Sequence, residues 1–455
     1  MSDHVSRFLS SSNILFPFPR KVRIFTSHCD PGHSFPETQD GTLDVVVAGD
    51  FLPRHFFHRG YALCAYIRML YVATYVVVTQ PRPIAIFCDS ISIPIPLLRL
   101  LSPVLFYCHF PDKMLCVERS SFLKRLYRFP LDWMEEVTTS AADLVLVNSH
   151  FTRSVFEQSF PSIRSLPGVL YPPLNLSKFD AECPLTHADL SSSLLLSSSL
   201  PTEGEWVYDK GWRRSPVPFP KSFFLSINRF ESKKNIELAL HSFAEFLFGE
   251  QDEVKDKEKR SHREDREDVF LVLAGGYDLR VDENVHYLRY LNGLAHTLGL
   301  SHRVLFLLSF SDDQKIFLLR HAIAVLYTPS MEHFGIVPIE AMYSRTPVIA
   351  VNSGGPKESV VDGKTGYLCD ADKASFRKAM DAVFGSEERR EEMGRKGRVR
   401  VIEHFSLESF RGNISRSITK IARERGGGEG GIGRYFWSFV LALLSLFVVR
   451  RIINS

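Results

Sequence analysis

The chain's most chemically suggestive run is Glu332-His333-Phe334-Gly335-Ile336-Val337-Pro338-Ile339-Glu340, two carboxylates on either side of a glycine turn. Gly335 lets a ligand approach the backbone closely. Pro338 suits the first turn of a helix. The exposed N–H groups of such a turn, with the helix dipole, hold an anion such as a diphosphate. Glu332 and Glu340 can bracket that ligand, although either one alone reads equally as a solvated glutamate beside a helix start. A second cluster, Asn228-Arg229-Phe230-Glu231-Ser232-Lys233-Lys234-Asn235, follows a short apolar run. Fixed cations at the end of a strand suit a leaving diphosphate.

Two further turns have the same placement. Phe106-Tyr107-Cys108-His109-Phe110-Pro111-Asp112 puts His109 where it could hydrogen-bond a reacting group. Asn352-Ser353-Gly354-Gly355-Pro356-Lys357-Glu358 offers glycines for a phosphate or sugar contact, or for a tight turn. A metal site is not expected. Asp370-Ala371-Asp372 has the form of a divalent-ion motif but comes late in the chain, and His28, Cys29 and His33 lack a matching ligand pair. The chain carries no G-x-G-x-x-G fingerprint between a strand and a helix, and no Walker loop.

The elements that must position these turns are short and apolar. Phe223–Ile227, Phe270–Leu273, Val304–Leu308, Ala324–Tyr327 and Val348–Ala350 alternate with helical or loop segments. In the first half, Val22–Thr26, Ile84–Phe87, Val104–Tyr107 and Leu144–Val147 read the same way. Buried strands alternating with helices predict parallel sheets covered on both faces. Two such doubly wound domains place a ligand at the carboxyl ends of their strands. A chain of 455 residues, 45% hydrophobic, can bury two cores. The Ser/Leu run Leu190–Ser199 with the polar stretch up to Pro220, and the charge run Gln251–Asp268, are expected to be solvated inserts.

The net charge of +3 gives no reason to expect a nucleic-acid partner. Seven scattered cysteines without a C-x-x-C pair imply reduced thiols. The first twenty residues lack a signal-peptide core, so the folded part is expected in the cytosol. Near the end, glycines at 426–428 and 430–431 form a linker, and Tyr435–Val449 runs without a charge between Arg434 and Arg450. Fifteen helical residues reach about 22 Å, so a span of the roughly 30 Å hydrocarbon core requires counting on to Ile453 with the arginines snorkelling.

Cys108–Asp112 (CHFPD), Ser120–Glu136 (SSFLKRLYRFPLDWMEE), Asn228–Asn235, Ala274–Asp278 (AGGYD), Glu332–Glu340 and Val351–Pro356 (VNSGGP) together resemble the alpha-1,3/1,6-mannosyltransferases of dolichol-linked asparagine glycosylation. The similarity runs from Val22 to about Ser415, apart from the two inserts. It implies an α/β fold of GT-B type, with two Rossmann-like domains facing a central cleft, to which the tail's own residues add a C-terminal hydrophobic helix. The expected division is an acceptor-binding domain over residues 1–175, a low-complexity linker over 176–220, a nucleotide-sugar domain over 221–423, and, from the composition of the tail, a glycine-rich linker and membrane anchor over 424–455. GDP-mannose would be the donor and a dolichyl-diphosphate oligosaccharide the acceptor, with no metal and no other cofactor. The site would be the cytosolic face of the endoplasmic reticulum membrane, with the pathway's other mannosyltransferases as candidate partners. By matching positions, Arg229 and Lys234 would neutralise the donor diphosphate, Glu340 would bind the ribose and Glu332 the donor sugar. Gly335 and Ile336 would offer backbone, and His109 would sit by the anomeric centre. The basic residues Lys124, Arg125 and Arg128, interleaved with Phe122, Leu123, Leu126 and Tyr127 at helical spacing, read either as facing the acceptor and the membrane surface or equally as a solvated helix face. Tyr61–Val78, apolar apart from Arg68, reads as a core helix or as one that dips into the interface.

One part of the family pattern is missing. Its first unit runs strand, glycine-rich loop, helix, strand. Here Asn13–Phe16 reads as the first strand and Val22–Thr26 as the second, with five residues between them. A parallel crossover needs about a dozen. An impaired form, acting as a membrane-bound partner of other transferases, is therefore the alternative expectation.

Overall fold

The computed structural model describes residues 22–30, 38, 40–55, 60–115, 122–191, 195–197, 219–249 and 266–426, with the backbone alone for 115, 122–124 and 425–426. The predicted strand Asn13–Phe16, the tail from Arg434 onward and most of the charge run lie outside these residues. The chain divides into two units: residues up to Pro173 together with those from Leu407, and Leu174–Ser406.

In the first unit, strands β1 (Arg23–Thr26) and β2 (Asp44–Val47) pair in parallel, Arg23 opposite Asp44. Helix α1 (Tyr61–Thr79) leads to β3 (Ile86–Asp89), and α2 (Ile95–Leu101) to β4 (Val104–Cys108). Then come α3 (Asp112–Leu115), α4 (Phe122–Ser140), β5 (Leu144–Val147), α5 (His150–Ser159) and β6 (Gly168–Val169). The four strands β3-β4-β5-β6 form one parallel sheet. Every residue of β4 is buried, which explains its unbroken apolar run. Val72, Ala73 and Val76 of α1 and Ile95, Leu97 and Leu98 of α2 pack on one face with Val104 and Phe106. Phe410, Ile414 and Ile421 cover the other face with Leu105, Tyr107 and Leu146. These three lie on the helix Leu407–Gly426, which closes the first unit rather than extending the second.

Among the described residues, β1 shares no ladder with β3. The doubly wound order 3-2-1-4-5-6 places the first strand between the second and the fourth. The predicted first strand, Asn13–Phe16, lies outside the described residues, which show β2-β1 and β3-β4-β5-β6 as separate ladders. Phe25 of β1 nevertheless packs on the same cluster as β3 and β4. Arg68 of α1, almost buried, donates to the Ser27 carbonyl at 2.8 Å and faces Asp50. With Cys64, Tyr66, Val72, Ala73 and Val76 also buried, α1 packs one face against the unit, while Tyr61, Leu63 and Val78 are exposed and the helix is long and apolar enough to cross a membrane.

The second unit holds a sheet ordered β13-β12-β11-β8-β9-β10-β7. Its members are β7 (Leu195–Leu196), β8 (Ser222–Ile227), β9 (Val269–Gly275), β10 (Val304–Leu308), β11 (Val325–Tyr327), β12 (Val348–Val351) and β13 (Gly366–Cys369). All pairs are parallel except β7 on β10. The Ser/Leu stretch is thus not wholly a solvated insert. Leu190 of the helix His187–Ser191, Leu195 and Leu196 are buried, and β7 covers the edge of the sheet.

Candidate functional site

In the second unit the predicted residues converge at the carboxyl ends of the strands. After β8, Asn228–Phe230 run against the end of β9, so close that a side chain at Gly275 would collide with the Asn228 carbonyl. A 3-10 turn, Ser232–Lys234, follows and ends at Asn235, which has φ 49°. The Thr328 hydroxyl donates to the Lys234 carbonyl at 2.8 Å and fixes the turn to the end of β11. Lys234 Nζ then donates to Glu332 Oε2 at 2.5 Å, with side-chain exposures of 14% and 24%. Arg229 pairs with Glu231 at 2.8 Å and stays 63% exposed. It is the more accessible of the two cations.

Gly335, with φ 78°, caps the helix Ile336–Tyr343, as its sequence position predicts. Pro338 lies in that helix's first turn, where its missing N–H costs nothing. The Tyr327 hydroxyl bonds Glu332 and would lie 3.1 Å from a β-carbon at Gly335. Burial, reinforced by Glu332 and Glu340, pushes the Tyr327 phenol well above its usual range, so it stays a neutral donor. Glu340 lies within the helix, its side chain 8% exposed, and takes a bond from Lys315 Nζ at 2.5 Å. The two glutamates therefore occupy different settings. Glu332 sits in the turn beside Lys234, while Glu340 is held from behind by the helix Asp312–His321.

The turn at Asn352–Glu358 acts on this site through its neighbour. Ser353 Oγ accepts from Met331 N at 2.9 Å, and Gly355 N donates to the Glu332 carbonyl at 2.7 Å. A side chain at Gly354 or Gly355 would strike the backbone of Glu332 or Phe334. Its glycines serve backbone approach between two loops. Asp372 caps the helix Lys373–Phe384, accepting from Ala374 N and Ser375 N, and this accounts for the Asp-x-Asp pattern.

In the first unit His109 follows β4. Its Nε2 meets Asp89 Oδ1 at 2.8 Å, and its carbonyl accepts from Asn148 Nδ2 at 3.0 Å. The His109 ring thus faces a carboxylate across β3 and β4. Arg125 on α4 is exposed, and the side chain of Lys124 lies outside the described residues. Arg128, expected to face the acceptor and the membrane, turns inward. It pairs with Asp132 at 2.9 Å at 13% exposure and donates to the Asp112 carbonyl. Helical spacing explains this, since Arg128 lies one turn before Asp132 on the buried side of α4. The outer side carries Leu126, Phe129, Trp133 and Val137, between 45% and 73% exposed.

Sequence reasoning missed Lys315, Tyr327, Thr328 and Asp89. Thr328 lies just past the predicted strand Ala324–Tyr327, next to a predicted turn, and Asp89 lies just past the predicted strand Ile84–Phe87; a polar residue at a strand end is the signal that could have found them. Lys315 carried no such signal, because only the fold brings it to Glu340.

The family described as "Glycosyl transferases group 1" matches residues 212–400. Over 88% of this chain, the sequence is 45% identical to the Homo sapiens "Alpha-1,3/1,6-mannosyltransferase ALG2", covering 88% of that protein. It is 42% identical to the Dictyostelium discoideum protein of the same name, covering 88% of this chain and 91% of that one. Among solved structures, sucrose-phosphate synthase from Thermosynechococcus elongatus matches with a TM-score of 0.61 at 19% identity, covering 88% of each chain. Anabaena HepE in complex with UDP matches at 0.58 and 16% identity, over 84% of this chain and 88% of that one. These structural neighbours show the GT-B glycosyltransferase fold.

Proposed function

We propose, on the premise that this chain belongs to the alpha-1,3/1,6-mannosyltransferase family, that it transfers mannose from GDP-mannose to a dolichyl-diphosphate-linked Man1GlcNAc2 acceptor, first α1,3 and then α1,6. The chain is a glycosyltransferase. The observation that carries the donor reading is the Lys234–Glu332 pair at the start of the helix Ile336–Tyr343. That helix start supplies backbone N–H groups from Ile336 onward for a diphosphate. Lys234 and the exposed Arg229 add the positive charge that the leaving phosphates need. We infer that these two cations do this without a metal ion. Glu332 is assigned to the mannose, Glu340 to the ribose hydroxyls, and His109 to the region of the anomeric carbon.

For the lipid acceptor we infer attachment to the cytosolic face of the endoplasmic reticulum. The exposed apolar row Leu126, Phe129, Trp133 and Val137, with Arg125 beside it, supports surface contact with an anionic bilayer. The uncharged run in the tail supports a second attachment, and proximity to the pathway's other transferases follows from a shared membrane.

The purified full chain is incubated with GDP-mannose and a one-mannose lipid acceptor, with and without EDTA. Two- and three-mannose products, unaffected by chelation, are expected. Transfer from a uridine-linked sugar instead, or tighter calorimetric binding of UDP than of GDP, overturns the donor assignment.

A second reading is favoured by the sequence spacing, since the five residues between Asn13–Phe16 and Val22–Thr26 are too few for a parallel crossover: a form impaired in transfer that keeps its nucleotide site. Full complementation of a mannosyltransferase-deficient cell by the 455-residue chain would exclude it.

A further inference from the structure

The inner side of α4 carries a carboxylate with no part in the site described so far. Glu135 is 7% exposed, on the opposite side of the helix from the apolar row. Its Oε1 accepts from Asp112 N at 2.6 Å and its Oε2 from Lys113 N at 3.1 Å. Those two N–H groups begin the short helix α3, directly after His109-Phe110-Pro111. Both oxygens of one buried side chain are thus spent on the backbone that leads out of His109. On its other side, the His109 carbonyl is tied to Asn148 and the ring to Asp89.

We infer that Glu135 is a positioning residue for the transfer reaction, its ionised carboxylate clamping the His109–Lys113 turn and so fixing His109. The inference rests on the proposed placement of His109 beside the reacting sugar.

The groups around Glu135 set when the clamp holds. Asp112 and Lys113 face it from α3, Tyr66 from α1 and the Cys108 thiol from the end of β4, while Arg128 and Asp132 of its own helix face Tyr66 and Asp112. Burial, then the Asp112 charge, push the Glu135 carboxyl up to about 7, against the pull of the two N–H bonds and Lys113. A raised acid contributes stability that is fully present below the ordinary glutamate range and is lost as pH rises through 7. The clamp runs the other way, because only the ionised form accepts both N–H bonds with charge assistance. Stability and positioning therefore respond to pH in opposite directions at this one residue.

The test uses the full chain in detergent micelles and Glu135→Gln, whose amide can accept only one of the two bonds. The first readout is hydrogen exchange at Asp112 and Lys113, corrected for intrinsic rates, from pH 5.5 to 8.5. Protection should rise through pH 7 in the parent chain and be lower and flat in Glu135→Gln. The second readout is transfer from GDP-mannose. The variant should lose kcat about tenfold and lose an acidic limb near pH 7, while its melting temperature at pH 8 is unchanged or higher. Exchange that is independent of pH and of the substitution overturns the clamp. Parallel losses of kcat and melting temperature overturn positioning in favour of a structural role. A parent chain that transfers nothing sinks the functional reading, and the exchange result still decides the clamp.

Discussion

Replacing Lys234 by alanine separates what the Lys234–Glu332 pair does for the fold from what it does for the reaction. At 14% and 24% exposure the pair is partly buried, so its loss leaves Glu332 with the Tyr327 hydroxyl and water. A half-satisfied charge of that kind costs about 1–2 kcal/mol of stability. A domain stable by about 5–15 kcal/mol remains folded after such a loss. The rate should suffer more. Removing one fixed group aligned with charge that develops in the transition state costs about 10²–10³ in kcat, or about 2.7–4 kcal/mol. Thermal unfolding and steady-state transfer on the same preparations compare the two. Adding Glu332→Gln sharpens the test, since it removes the stranded carboxylate. The double variant should regain most of the melting temperature and none of the rate. Near-normal turnover by Lys234→Ala, with the melting temperature lowered, would mean that Lys234 neutralises Glu332 and nothing else.

Gly335→Ala forces a β-carbon at φ 78° and 3.1 Å from the Tyr327 hydroxyl; a loss of about 1–2 kcal/mol is expected from the backbone alone, read as a lower melting temperature with transfer reduced further. Lys315→Met should release Glu340 and raise KM for the donor about tenfold, a contact of about 1.4 kcal/mol, with kcat little changed; an unchanged KM would show that Glu340 does not touch the donor. Phe129→Glu with Trp133→Glu should weaken binding to anionic liposomes without altering GDP affinity. Deleting residues 434–455 should weaken membrane anchoring further. Release of the full chain by alkaline carbonate would show that its tail does not span.

The strands were legible because buried parallel strands need unbroken apolar runs, as Val304–Leu308 and Leu144–Val147 show. The turns were legible because only certain residues fit there: Gly335 was expected to admit a close approach and proves to be left-handed. What stayed hidden depends on distant contacts. Leu195 and Leu196 looked like part of a low-complexity run, and only their pairing with Phe306 and Leu305 makes them a strand. The helix Leu407–Gly426 follows the second unit without a break, and only the spacing of Phe410, Ile414 and Ile421 on the first unit's sheet reassigns it. Arg128 looked like a surface cation among basic neighbours. Its inward turn reflects a partner, Asp132, on the same helix. Lys315 is unremarkable in sequence, since its partner Glu340 belongs to another helix.

The separation of β1 and β2 from the sheet led by β3 also bears on how the first unit opens. The two-stranded piece is joined to the rest through side chains on α1 and beside it: Arg68 to the Ser27 carbonyl, Phe25 against Tyr75, and Arg23 to Gln80 at 2.8 Å. No described ladder hydrogen bond crosses that boundary. Cooperative units in native proteins tend to follow such boundaries, and those with few shared bonds open at the lowest free energy. The described strands β1 and β2 would then form a foldon of their own, detaching while β4, β5 and the helix Leu407–Gly426 stay closed. The amides of Phe25 and Val46 would exchange through that local opening, and those of Phe106 and Leu146 only through global unfolding.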